Sequence, residues 1–258
     1  MDNLGSLTEV FSQPLLLFVL VLTRLGVMLL AMPAVGTGVP MRVRAVFAVA
    51  ISLLLLPLIS SDAVPEIDSL ADLTIAAGRE AGIGMLIGLV VRLLITGMQM
   101  AGELASSGGG MQLGESIDPE LRSSVSTLSR LVGLLVTAVL VLVGGHRMML
   151  EALLDSFRAM PPGDVRFELG MLELVVFEMS AGITAGIRAG APIIAALLLS
   201  NLVTGLISRT LPQLNLLAIG LPLNALILLV VSAFTLGGSA WLFQDELMRG
   251  FTNIREMW

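Results

Sequence analysis

Six long apolar stretches divide the chain, at residues 14–33, 43–59, 81–101, 128–143, 171–207 and 214–243. A helix needs about 20 predominantly apolar residues to cross the hydrocarbon core, with a range of roughly 17–25, so each stretch is a candidate membrane segment. They are unequal. The fourth is short, whereas the fifth and sixth are long enough to be broken helices: Pro192 falls inside one, and Gly220-Leu221-Pro222 and Gly237-Gly238 fall inside the other. Such interruptions are tolerated at membrane depth only where protein or a water-filled cavity satisfies the freed backbone groups. The pattern predicts an all-α membrane protein of about six hydrophobic segments, some of them broken, that pack against other chains or line a path.

The connections carry turn chemistry: Gly36-Thr37-Gly38-Val39-Pro40, the acidic residues 62–72 with Pro65, Ser106-Ser107-Gly108-Gly109-Gly110, and Met160-Pro161-Pro162-Gly163. The third opens a polar connection of over twenty residues reaching Ser129. Connections longer than about 12–15 residues without structure of their own are uncommon and often functional. A second pattern is a stripe of small residues. Gly182, Gly186 and Gly190 recur every four residues, with Ala181, Ala185 and Ala189 beside them. That spacing permits close backbone approach along one helix face, and it suits packing within the chain and a seam between subunits equally well. Gly78, Gly82, Gly84 and Gly88 form a similar set near the third stretch.

No polar block is long enough to fold separately, so residues 1–258 are expected to form a single membrane-embedded domain. Asp2 and Glu9 precede the first apolar stretch and no basic residue does, the wrong flank for a secretory signal; the stretch is expected to stay on the mature protein.

Composition reinforces the membrane assignment. Hydrophobic residues make up 56% and charged residues 13% of 258, against roughly 45–50% and about 25% in soluble domains. Cysteine is absent, which excludes disulfides, thiolate nucleophiles and cysteine zinc sites. All fourteen basic residues are arginine. A net charge of −6 without a basic cluster argues against a nucleic-acid partner. Arginines do not fix the orientation. With six crossings, Arg79, Arg147, Arg158, Arg166, Arg249 and Arg255 fall on one side, and Arg42, Arg44, Arg122, Arg130 and Arg209 on the other.

Arg24, Arg92, Glu173, Glu178 and Arg188 lie inside apolar stretches. A charge at a helix centre costs about 2.5–3.5 kcal/mol on insertion scales, so these side chains are expected to face a partner or a cavity. Buried structural ion pairs explain both signs of charge better than a proton path does, because no dense carboxylate or histidine chain accompanies them. His146, the one histidine, has no cysteine or carboxylate at zinc-ligand spacing, so no metal site and no cofactor are implied. Gly114-Glu115-Ser116-Ile117-Asp118 lacks the second glycine of a nucleophile elbow, and there is no HExxH motif or lysine-bearing phosphate loop. The chain is therefore expected not to be an enzyme. Two other classes stay in view, a small-solute or proton-coupled transporter using the buried Arg and Glu residues, and an intramembrane hydrolase built on Ser116 and His146.

Motif order narrows the choice. Thr23-Arg24-Leu25-Gly26, Met32-Pro33-Ala34-Val35-Gly36, Val39-Pro40-Met41-Arg42-Val43-Arg44-Ala45 and Leu56-Pro57 open the chain. Gly108-Gly109-Gly110-Met111-Gln112-Leu113-Gly114, Asp118-Pro119 and Gly145-His146 follow. Ala191-Pro192, Asn201-Leu202, Gly205-Leu206, Arg209-Thr210-Leu211-Pro212-Gln213-Leu214-Asn215 and Gly220-Leu221-Pro222 close it. Over residues 10–243 this order resembles the FliR family of the bacterial flagellar type III export gate and its injectisome relatives.

The resemblance implies a non-enzymatic gate subunit in the bacterial inner membrane, at the flagellar basal body. It would assemble with FliP-like and FliQ-like subunits, be contacted by a FlhB-like subunit, and pass unfolded export substrates through a shared channel amid membrane lipid. It also implies a pore plug over residues 106–124, with Gly108, Gly109, Gly110 and Gly114 granting freedom to bend and Met111, Leu113 and Ile117 supplying apolar bulk. Arg24, Pro33, Pro40, Arg44, Arg209, Pro212, Asn215 and Pro222, with Gly182, Gly186 and Gly190, are expected at structural and subunit contacts. The chain departs from the family pattern in one respect: relatives often carry phenylalanines and a longer segment between the glycines and Asp-Pro, and here that segment is short, polar and free of aromatic residues.

Overall fold

The computed structural model describes residues 13–32, 39–59, 69–110, 126–167, 169–210 and 216–257, without the side chains of residues 13, 216–219 and 236. Seven α-helices order these residues: α1 (Gln13–Ala31), α2 (Met41–Leu55), α3 (Leu70–Gly108), α4 (Thr127–Leu142), α5 (Gly145–Ala159), α6 (Leu169–Thr210) and α7 (Leu216–Met257). A short 3-10 turn, Leu56–Leu58, extends α2. Among the described residues there is no β-strand. The all-α expectation is met.

Pro14–Ala31, Met41–Leu58, Leu70–Gly108 and Leu169–Thr210 are each apolar and long enough to cross a membrane. Two more spans arise if the broken pair α4 and α5, and the two limbs of α7, each count as one. The breaks are not where proline predicted them. α6 runs through Pro192 and α7 through Pro222. Each proline removes one hydrogen bond from its helix, yet the rest of the turn persists. The actual interruptions follow glycine instead: α7 bends between Thr235 and Gly237, and Gly144 sits at φ +82° between α4 and α5. That left-handed backbone is open to glycine at little steric cost.

α5 is an addition to the predicted elements. Met149, Ala152, Leu153, Ser156 and Phe157 are buried, a spacing of three and four that sets one apolar face. Arg147, Glu151, Asp155 and Arg158 ion-pair along the opposite side. Its polar half kept it below the apolar threshold, so the sequence suggested only a connection there.

The chain forms two compact units, one from Met1–Arg92, Gly144–Glu178 and Met248–Trp258, the other from Leu93–Val143 and Met179–Leu247. In the first, α1 and α2 pack together, and Leu16 and Leu20 of α1 bury against Ala76 of α3. A methyl group at Gly84 would collide with the Arg24 carbonyl, so α3 meets α1 backbone to backbone there. In the second unit, Ala105, Ile193, Leu197 and Leu228 form the core, drawing on α3, α6 and α7.

Length is the feature that composition alone did not show. α3 has 39 residues and α6 and α7 have 42 each. At about 1.5 Å per residue each is roughly 60 Å long, twice the hydrocarbon core of about 30 Å. None of the three fits inside the hydrocarbon in one upright pass.

Candidate functional site

The first unit encloses a charge. Arg24, on α1, is wholly buried and places Nε 2.5 Å from the Glu80 carboxylate of α3, itself wholly buried. One terminal nitrogen donates to the Ser156 hydroxyl at 3.0 Å and the other to the Met160 carbonyl at 3.1 Å. The Phe157 ring lies under the guanidinium, 4.3 Å from centroid to carbon. The second Glu80 oxygen accepts the Gly163 N–H at 2.7 Å. Each of the three guanidinium nitrogens therefore donates to an acceptor, and the Phe157 ring covers one face of the plane, partners that a desolvated arginine requires. The cluster ties α1 and α3 to α5 and its Pro161-Pro162-Gly163 exit. It has the form of a structural clasp. Glu178, also buried, accepts from the Asn253 side chain of α7 at 2.9 Å. The other three intramembrane charges, Arg92, Glu173 and Arg188, are exposed on this chain.

The second unit holds the two roots of the glycine-rich connection. Ser106, Ser107 and Gly108 form the end of α3, so the connection leaves the helix only after Gly108. The Gly109 N–H still bonds to the Ala105 carbonyl at 2.9 Å, and Gly110 turns the chain away at φ +73°. At this exit the Asn201 side chain of α6 donates to the Gly108 carbonyl at 3.2 Å. Asn201 in turn accepts from Asn224 of α7 at 2.8 Å, and Asn224 accepts from the Ser200 hydroxyl at 2.7 Å. At the re-entry, the Glu103 carboxylate accepts the Ser126 N–H at 3.1 Å. Ser126 caps α4 by accepting the Ser129 N–H at 3.2 Å, and the Ser129 hydroxyl donates to the Gln99 carbonyl at 2.9 Å. Both ends of the connection are thus fastened to helix side chains by polar bonds, an exposed one at Gly108 and a partly buried one at Ser126. Met111, Leu113, Gly114 and Ile117 lie outside the described residues, as does Ser116.

Close helix contact holds this mount together. A methyl group at Gly97 would collide with the Gly182 carbonyl, and one at Gly186 with the Gly97 carbonyl. One at Gly182 would sit 2.7 Å from the Leu93 carbonyl oxygen, and one at Gly190 would sit 3.2 Å from the Ala101 methyl. The glycine stripe of α6 lies against α3 of the same chain.

The model of bacterial export proteins, family 1, matches residues 15–250. The chain belongs to that family. Within it, the chain is similar to the flagellar biosynthetic protein FliR of Caulobacter vibrioides, with 29% identity over 90% of this chain and 94% of that one. It is 27% identical to FliR of Bacillus subtilis over 80% of this chain and 81% of the relative. The figures for Escherichia coli FliR are 26%, 72% and 71%. This is a FliR family protein, as the order of its motifs implied.

Placing the remaining FliR-like motif residues shows how dispersed they are. Pro40 is the exposed residue before α2, and Arg44, one turn in, donates to the Val39 carbonyl at 2.9 Å. Arg209 is exposed in the last turn of α6 and Pro222 is exposed within α7. Pro33, Pro212 and Asn215 lie outside the described residues. Glu80, Ser200, Asn201, Asn224 and Glu103 were not singled out as site residues, although Asn201 stood in a family motif. The available signal was a polar residue inside or at the edge of an apolar run; attention to charge alone passes over asparagine and serine. His146 is exposed in the first turn of α5, and among the described residues no group of three or more His, Asp or Glu side chains is placed to hold a metal ion.

Proposed function

We propose that the chain is a non-enzymatic subunit of the bacterial flagellar type III protein export gate, acting as a single export-gate domain in the inner membrane at the flagellar basal body. With FliP-like and FliQ-like subunits it forms the channel through which unfolded flagellar proteins leave the cytoplasm, and a FlhB-like subunit contacts the assembly. The connection after α3 plugs the pore, with the Asn201 and Glu103 contacts holding its roots.

One observation supports this reading most: α3, α6 and α7 are each about twice as long as the hydrocarbon core is thick. They nonetheless keep apolar side chains exposed along their length, among them Leu172, Phe177, Leu198, Leu206, Leu229 and Phe234. Lipid can cover only part of such a surface, and the rest calls for protein. A subunit built into a larger assembly meets that need. The transporter alternative draws less support, because Arg24 is locked in a clasp rather than aligned in a relay.

The plug assignment is tested in cells lacking their own FliR-family gene. The full chain is expected to restore secretion of flagellar proteins. A triple variant, Met111→Ser, Leu113→Ser, Ile117→Ser, is expected to secrete while allowing small ions to leak, read by a membrane-potential dye. Secretion without a change in leak counts against the plug.

A further inference from the structure

The glycine face of α6 is occupied by α3, but another face of the same helix is open. Ser180, Thr184, Arg188, Ala191, Pro192 and Ala195 are all exposed. Their spacings of four, four, three and four, with Pro192 beside Ala191, align them on one side of the helix. Arg188 stands midway along α6, a helix apolar and long enough to cross a membrane. Among the described residues no side chain pairs with it.

Pro192 adds a second feature at the same turn. It has no N–H to donate to the carbonyl four residues earlier, and that carbonyl belongs to Arg188. One helical turn therefore presents a cationic fork and a backbone acceptor that lacks its usual helical donor. Ala191, Ala195 and Ser180 around it are small enough to admit another backbone closely. Ile183, Ile187, Leu198 and Leu199 flank the strip and are exposed too.

Wherever the bilayer meets α6, this strip asks for protein. Inside the hydrocarbon, an unpaired guanidinium is disfavoured. Outside it, the flanking isoleucines and leucines are an uncovered apolar patch. We infer that the Ser180–Thr184–Arg188–Ala191–Ala195 face of α6 docks a helix of a partner subunit, one that brings an Asp or Glu carboxylate to Arg188 from within an otherwise apolar, closely packed surface. The charge sets the register, and the small residues set the distance. This rests on the export-gate reading and identifies, within the assembly, the face and the chemistry of one contact.

The test uses the complex assembled by co-expression with the partner subunits of the same organism and purified in mild detergent. A photoreactive benzophenone amino acid in place of Thr184 is expected to cross-link to a partner subunit. Because the chain has no cysteine, Ser180→Cys and Ala191→Cys each report one position, and both are expected to be protected in the complex from a charged, membrane-impermeant thiosulfonate. Arg188→Lys is expected to assemble within about twofold of the unaltered chain. Arg188→Glu should reduce the assembled fraction at least about tenfold, in keeping with the loss of a desolvated interfacial charge pair. Modification of both cysteines in the intact complex, with no cross-link to a partner, means that the face borders water and overturns the inference. Normal assembly of Arg188→Glu overturns it as well. In either case the unaltered chain has assembled, so the export-gate reading stands. Failure of the unaltered chain to assemble removes both.

Discussion

Asn201 on α6 donates its side-chain amide to the carbonyl of Gly108, the last residue of α3, across 3.2 Å. The bond fixes the point where the glycine-rich connection departs, and Asn224 behind it fixes Asn201. A net hydrogen bond contributes about 0.5–1.5 kcal/mol, and a buried group left unsatisfied costs about 1–3 kcal/mol. Asn201→Ala should therefore loosen the loop root by a factor of roughly 2–10 in its equilibrium. Asn224→Leu, which strands Ser200 and Asn201 together, should do more. Both variants are expected to secrete normally and to raise ion leak in that order, measured by the decay of membrane potential. Equal leak in both and in the parent would detach this network from gating.

The Arg24–Glu80 clasp makes a separate claim. Removing one member of a buried, hydrogen-bonded pair typically costs about 3–5 kcal/mol, because the other charge is left uncompensated. Arg24→Ala and Glu80→Leu should each abolish or sharply destabilise the purified protein in a thermal melt. The double variant Arg24→Met, Glu80→Leu should recover much of the loss, since apolar replacement of a buried pair is often nearly neutral. A transporter that moved protons through Arg24 would instead lose transport in the double variant while its stability held.

Glycine positions divide by what lies opposite them. Gly97→Ala and Gly186→Ala place a methyl group against a facing carbonyl and backbone, which cannot rotate away. Overpacking of this kind costs about 1–3 kcal/mol. Gly205 and Gly170, also in α6, have nothing within 4 Å. Alanine there should be neutral or raise the melting temperature, since glycine is worse than alanine in a helix by about 0.5–1 kcal/mol. Melting curves of the four single variants decide the matter, and uniform behaviour would contradict the seam.

The sequence made the six apolar runs legible, because length and hydropathy need no tertiary knowledge. It did not make α5 legible, since Arg147, Glu151, Asp155 and Arg158 dilute its apolar face. α3 begins at Leu70, well before the apolar run at Ala81, and that early turn carries Glu80. The counter-ion of Arg24 thus sat outside the window in which charges attracted notice, 56 residues away along the chain. Pro192 and Pro222 misplaced the breaks, because a proline removes one hydrogen bond while the neighbouring turns still hold the helix. Gly237-Gly238, named as an interruption of the sixth run, coincides with the bend in α7, whereas the break at Gly144 rests on a backbone angle that the sequence does not state. At the candidate site the glycines pointed to the loop, whereas the asparagines that moor it required knowing that α3, α6 and α7 meet in one core.

The export-gate account rests most directly on assembly, and native mass spectrometry of the tagged chain, co-expressed with the FliP-like and FliQ-like proteins of the same organism, measures it. The account expects a stable hetero-oligomer in mild detergent that contains this chain together with both partners. A partner-free monomer or homo-oligomer, from cells in which both partners were demonstrably made, would contradict it.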